Sequence, residues 1–215
     1  MRIECIAVGQ PEDHVWNGKT LRTAIYKKPI PGPVMIREHN LDGDRQASPV
    51  IHGGKYKAVY VYSADHYPWW RAELGRDLPL AMFGENLTVS GWDDSQVCIG
   101  DVYRFGEAEL EAAGPRLPCS KLAMKFGDPH MIKRFSDAGR WGLYHAVRKP
   151  GLVRVGDVVE KVSEHPARVP AFELGRVYVH DLDDVETMAK LIAIEELDPD
   201  WKAALLERLH KRLQH

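Results

Sequence analysis

The sequence predicts a mainly β protein: a barrel or strongly bent sheet with flanking helices, then a C-terminal segment of three helices. Three observations carry this. Short runs rich in β-branched and apolar residues, separated by turn residues, fill the first two thirds of the 215-residue chain. Gly100-Asp101 and Gly156-Asp157 each sit between apolar pairs, as tight turns feeding strands do. After Pro166 the strand pattern stops and apolar residues recur at helical spacing. Many short strands so spaced favour a closed or bent sheet over βαβ layering.

In order, 3–8 is an apolar run of strand length, and 21–27 and 34–38 follow as strands. Between the latter two lies Lys28-Pro-Ile-Pro-Gly-Pro33, too rich in proline for a helix or a central strand. KAVYVY (57–62) has the composition of a strand. Residues 63–74 read as a helix with Ser63 as N-cap. Segments 97–103 and 152–159 are turn-plus-strand units, and 108–112 is a further strand. Asp128-Pro129 opens a helix that ends near Gly139, because proline is welcome at a first helical position.

The division expected is 1–164 for the β domain and 165–215 for the helical segment, with 165–170 as linker. The helices are 172–178, one bearing the stripe Val185, Met188, Ala189, Ile192 and Ala193, and one started by Asp198-Pro199 with Trp201, Leu205, Leu209 and Leu213 on one face.

Composition excludes several classes. A hydrophobic fraction of 44% suffices for a sizeable core. A net charge of −2 supplies no global basic field, so neither a stable nucleic-acid complex nor an anionic membrane is expected as partner. The first ten residues lack the apolar core of a signal peptide, and no apolar run is long enough to cross a bilayer. Cys5, Cys98 and Cys119 are odd in number and widely spaced, which argues against a disulfide framework and for a cytoplasmic location. Without Cys-x-x-Cys or His-x-x-x-His, a structural zinc site is not expected.

Three segments carry candidate chemistry. In Gly114-Pro-Arg-Leu-Pro-Cys-Ser-Lys, Pro118 is placed to open a helical turn, which puts Cys119 near a helix start. Backbone N–H groups there, with Arg116 and Lys121, favour a thiolate, which is a nucleophile and a soft metal ligand. The alternative is a small buried hydrophobe, the better reading for Cys5 and Cys98. In 43–57, Gly53-Gly54 permits a backbone nest, and Arg45, His52, Lys55 and Lys57 add charge for an anion. The loop lacks Walker A spacing and reads equally as a solvated turn. Glu85 and Asn86, between apolar residues at a strand entrance, suit either hydrogen bonding to a heterocycle or fixing a turn. Trp69, Trp70, Trp92 and Trp141 read as core or rim packing.

Taken together, GDRQASPVIHGGKYKAVYVY (43–62), HYPWWRAELG (66–75), FGENLTVSG (83–91), IGDVYRFGEAELE (99–111), PRLPCSKLAMKFGDPHMIKRF (115–135) and VRVGDVVE (153–160) resemble the MOSC family, in its YiiM-like branch. The helical tail resembles the three-helix segment that follows the barrel in that branch. The resemblance implies a MOSC β-barrel and a molybdenum cofactor, Mo-molybdopterin, with Cys119 as metal ligand and catalytic centre. It implies cofactor contacts from Arg45, His52, Gly53, Gly54, Lys57, Glu85, Asn86, Arg116 and Lys121. The implied activity is reduction of small N-hydroxylated compounds of the hydroxylaminopurine type. No Gly-x-Gly-x-x-Gly fingerprint is present, so the electrons are expected from a separate flavoprotein reductase. Other functions stay open: a carrier of the cofactor or of a Cys119 persulfide, or a thiol enzyme without metal. A homodimer is also left open. Two positions depart from the family pattern, Ser48 and Tyr56, where aspartate is common.

Overall fold

The computed structural model describes residues 1–48 and 53–213. Its strands are β1 (Arg2–Val8), β2 (Glu12–Trp16), β3 (Lys19–Thr23), β4 (Lys28–Pro29), β5 (Val34–Ile36), β6 (Val59–Ser63), β7 (Leu87–Ser90), β8 (Val102–Phe105), β9 (Ala108–Pro115), β10 (Leu143–Lys149), β11 (Gly151–Val153) and β12 (Val159–Ser163). Eight of them form one sheet, in the order β12-β8-β9-β10-β6-β7-β1-β4. Its β6–β7 pair is parallel and its other pairs are antiparallel. An Arg2–Val158 bridge, with Ile3 N donating to Asp157 O and Val159 N to Met1 O, brings β1 round to the start of β12. The sheet thus curls until its ends touch, through a bridge and not a full ladder.

Alternation along β6 explains the two cores. Val59 and Val61 point into the curled sheet, with Ile3, Ile6 and Leu110. Tyr60 and Tyr62 point outward into an aromatic cluster with Trp70, Phe83, Phe126, Phe135 and Trp141. Helices α1 (Tyr67–Leu74), α2 (Ser120–Phe126) and α3 (Met131–Ala138) cover that outer face. Ser63 caps the short 3-10 turn that leads into α1, its hydroxyl accepting from Asp65 N. Gly139, at φ 63°, closes α3.

One expectation needs correction near the N-terminus. The strand expected over 21–27 stops at Thr23, and the backbone then leaves the sheet. Its partner is β2, joined to it through Asn17-Gly18, both at positive φ. Asn-Gly is a strong hairpin signal, which the sequence reading passed over.

His145 is fully buried, its ring 5.8 Å from Trp92 and 6.0 Å from Phe105. Burial pushes its imidazole down to about 4, opposed by a hydrogen bond to Leu143 O. The unfolded chain, with a histidine near 6.5, therefore binds the proton more readily. Stability from keeping His145 neutral is complete above the unfolded value and is lost as pH falls towards the folded one, by about 3 kcal/mol in all. Denaturant unfolding of wild type and His145→Phe across that window should show a shallower pH slope in the variant. Equal slopes would remove this account.

The tail forms α4 (Ala171–Val179), α5 (Val185–Ile192) and α6 (Pro199–Leu213). Leu174, Val177, Met188, Leu191, Leu197 and Leu205 belong to the same apolar cluster as the sheet interior residues, so the tail shares a core with the sheet. Gly175 lets α4 sit on Trp141: a Cβ there would lie 1.9 Å from the indole. The stripe expected on α5 is rotated. Met188 and Leu191 are buried, whereas Val185, Ala189 and Ala193 are exposed, because α5 is held by its neighbours α4 and α6. Asp198 starts α6, its carboxylate accepting from Asp200 N.

Candidate functional site

A cleft opens where four segments meet: the loop after β3, the 44–48 loop, the outer face of β6 and β10, and the β9–α2 connection. The β9–α2 connection brings Arg116 and Cys119 to it. Cys119 is the residue before α2, in extended conformation (φ −138°), so the helix begins at Ser120 and Pro118 lies outside it. This corrects the expected helical turn at Pro118. Cys119 is partly exposed and lines the cleft, while Cys5 and Cys98 are buried. Burial pushes the Cys5 thiol up to about 11, with Glu85 adding to the effect, and burial raises Cys98 too. Both are protonated, inert thiols at neutral pH.

Arg116 is 6% exposed, at the end of β9. Its guanidinium stacks over Tyr60 and Phe135, 5.3 and 5.7 Å from their ring centres. Its Nη1 has no hydrogen-bond partner and no carboxylate among the described residues pairs with it. Buried charges are ordinarily paired or bound to a ligand, so this one is poised for an anion. Arg45, Lys57 and Lys121 line the same cleft. Lys57 also pairs with Asp198 at 3.7 Å and Asp200 at 3.2 Å, so the tail reaches the cleft wall.

The remaining expected contacts divide. Asn86 lines the cleft, but its amide is engaged: Oδ1 accepts from Tyr60 N, and Nδ2 donates to Ala7 O and Asp44 Oδ2. Glu85 does not reach the cleft. It is fully buried and accepts from Ala81 N, Phe83 N, the Thr88 hydroxyl and the Tyr67 hydroxyl. It fixes the turn before β7, because a buried carboxylate needs that many donors. Gly54, at φ 93°, leads into the 3-10 turn Lys55–Lys57, and neither it nor Gly53 is part of the cleft wall. His52 lies outside the described residues. Ser48 lines the cleft, whereas the Tyr56 ring lies under the Lys55 ammonium at 5.4 Å.

Sequence reasoning missed Lys27, Asp44, Tyr60 and Tyr144, which all line the cleft. Asp44 accepts from Gly9 N, Asn86 Nδ2 and the Lys27 ammonium, locking three segments together. Burial pushes Lys27 down, and Asp44 opposes this. Asp44 stands in the GDRQ segment and was legible there; nothing local marks Lys27 or Tyr144.

The fold and site define a β protein whose curled sheet carries a cation-lined cleft with one partly exposed cysteine in its wall. The chain belongs to the MOSC domain family, which matches residues 48–160. It is 37% identical to the uncharacterized protein YflK of Bacillus subtilis, over 96% of this chain and 93% of that one. It is 31% identical to protein YiiM of Escherichia coli, over 86% and 84% of the two chains. A protein of Gibberella moniliformis named a reductase is 40% identical over 66% of this chain, which corresponds to 26% of its own length. The crystal structure of YiiM from Geobacillus stearothermophilus superposes with a TM-score of 0.82 at 27% identity, covering 97% of this chain and 98% of that one. Among the described residues no helix is long and apolar enough to cross a membrane.

Proposed function

We propose that this protein is a reductase of N-hydroxylated small molecules that works with a molybdenum–molybdopterin cofactor. The observation that carries the reading is the buried guanidinium of Arg116, without a carboxylate partner among the described residues, in one cleft with the accessible thiol of Cys119. The donor set fits the cofactor: a soft sulfur for the metal, and a forked donor plus lysines for a phosphate. Cys119 would hold the metal, and Arg116, Arg45, Lys57 and Lys121 would hold the anionic end. When bound, the molybdenum centre supplies oxygen-atom transfer and two-electron chemistry.

The chain's own groups bind and orient. Tyr60 and Tyr144 wall the cleft. Reduction breaks the N–O bond, consumes two electrons and two protons, and yields an amine and water. The electrons would come from a separate flavoprotein reductase. The fungal relative named a reductase supports this direction, since the segment matching this chain is about a quarter of that protein. Hydroxylaminopurines are the substrate class this reading favours.

The test is elemental and pterin analysis of protein purified from a host that makes the cofactor, followed by turnover of a hydroxylaminopurine with a chemical electron donor. Molybdenum near one atom per chain, with amine formed, is the expected result. Cysteine persulfide without molybdenum would replace this reading with a sulfur carrier.

A further inference from the structure

We propose that Tyr144 is a catalytic residue whose hydroxyl donates a hydrogen bond to the oxygen of the substrate N–OH group. The inference rests on the reductase reading above and deepens it.

Tyr144 lies on β10, opposite Tyr60 on β6. Its ring sits 5.3 Å from that of Tyr60, and both line the cleft with Arg116 and Cys119. The two phenols differ in what they have left to give. Tyr60 donates its proton to Trp141 O at 2.7 Å, so its donor is used. The Tyr144 hydroxyl has the Arg116 charge acting on it from the same cleft wall. A guanidinium only donates, so Arg116 cannot take the Tyr144 proton. Its O–H proton meets no acceptor among the described residues, and the residue lines the cleft. A cation near a phenol polarises its O–H bond and makes it a stronger donor. Burial raises the phenol above its ordinary value, against the effect of Arg116, so the proton stays on at neutral pH. Cys119, Arg116 and Tyr144 line one cleft.

A donor so placed recognises oxygen. The hydroxylated substrate satisfies it, whereas the amine product leaves it without an acceptor, so the site should favour substrate over product.

Titration calorimetry on the cofactor-loaded protein, without an electron donor, tests this with a hydroxylaminopurine and the matching aminopurine. Wild type should bind the hydroxylated compound about ten-fold more tightly than the amine. Tyr144→Phe should keep its molybdenum and bind the two compounds about equally, with kcat lowered more than KM is raised. Tyr62→Phe, whose hydroxyl meets Arg140 O away from the cleft, should keep the wild-type preference. A Tyr144→Phe protein with wild-type preference would overturn the proposal. So would loss of molybdenum from that variant alone, which would assign the phenol to the cofactor. Wild-type protein without molybdenum would instead overturn the parent reading, before any variant is compared.

Discussion

Cys119→Ala should yield a folded protein that retains less than about a tenth of the wild-type molybdenum and has no reductase activity. The thiol is partly exposed at the cleft wall, so its removal leaves no core void. The melting temperature of the cofactor-free protein should stay within a few degrees of wild type. Cys5→Ala and Cys98→Ala are the comparison. Both remove buried atoms, so both should lose stability and keep the metal. Elemental analysis beside thermal unfolding separates the two behaviours. Full molybdenum content in Cys119→Ala would remove the basis of the site assignment.

Arg116→Met should move stability and cofactor retention in opposite directions. The wild-type guanidinium is nearly buried and has no carboxylate partner among the described residues, so the cofactor-free protein carries the cost of a desolvated charge without a counter-ion. Methionine keeps much of the packing on Tyr60 and Phe135 and removes that cost. The cofactor-free variant should be more stable than wild type by about 1–4 kcal/mol, the range seen when buried charges give way to apolar residues. Retention of the pterin should fall by at least about ten-fold, because a forked, charge-assisted donor is lost. Arg116→Lys should be intermediate, keeping the charge without the fork. Unfolding curves of cofactor-free proteins and pterin content of loaded ones measure the two effects. A destabilised Arg116→Met protein that still holds its pterin would show that the guanidinium serves the fold alone.

The two effects also mark how far the site was legible beforehand. Cys119 stood out because two prolines and two basic residues surround it, and the fold brings that segment to a cleft. Arg116 stood out as a charge near it, but its burial and missing partner were not readable, since burial depends on strands remote in sequence. Glu85 looked like a ligand contact and turned out to be a turn anchor. A polar residue between apolar neighbours looks the same in either role, and only its bonds to Ala81, Phe83, Thr88 and Tyr67 distinguish them. Lys27 and Tyr144 carried no local signal. Each enters the site because its backbone leaves or crosses the sheet at the right place.

The sequence by itself determined the β-rich body, the strand at KAVYVY, the helical tail with its last helix begun by Asp198-Pro199, and Cys119 as the thiol set apart from the two buried ones. These follow from side-chain period, turn residues and near-neighbour charge, which act over a few positions. Tertiary structure decided the rest. It rotated the buried face of α5 to Met188 and Leu191, curled the sheet through the Arg2–Val158 bridge, and tied Lys57 to Asp198 and Asp200 of the tail. It also isolated the Arg116 charge and turned Tyr144 beside it. Burial and pairing are properties of the packed whole: a desolvated charge and its partners come from segments far apart in the chain, and local pattern contains no record of that meeting.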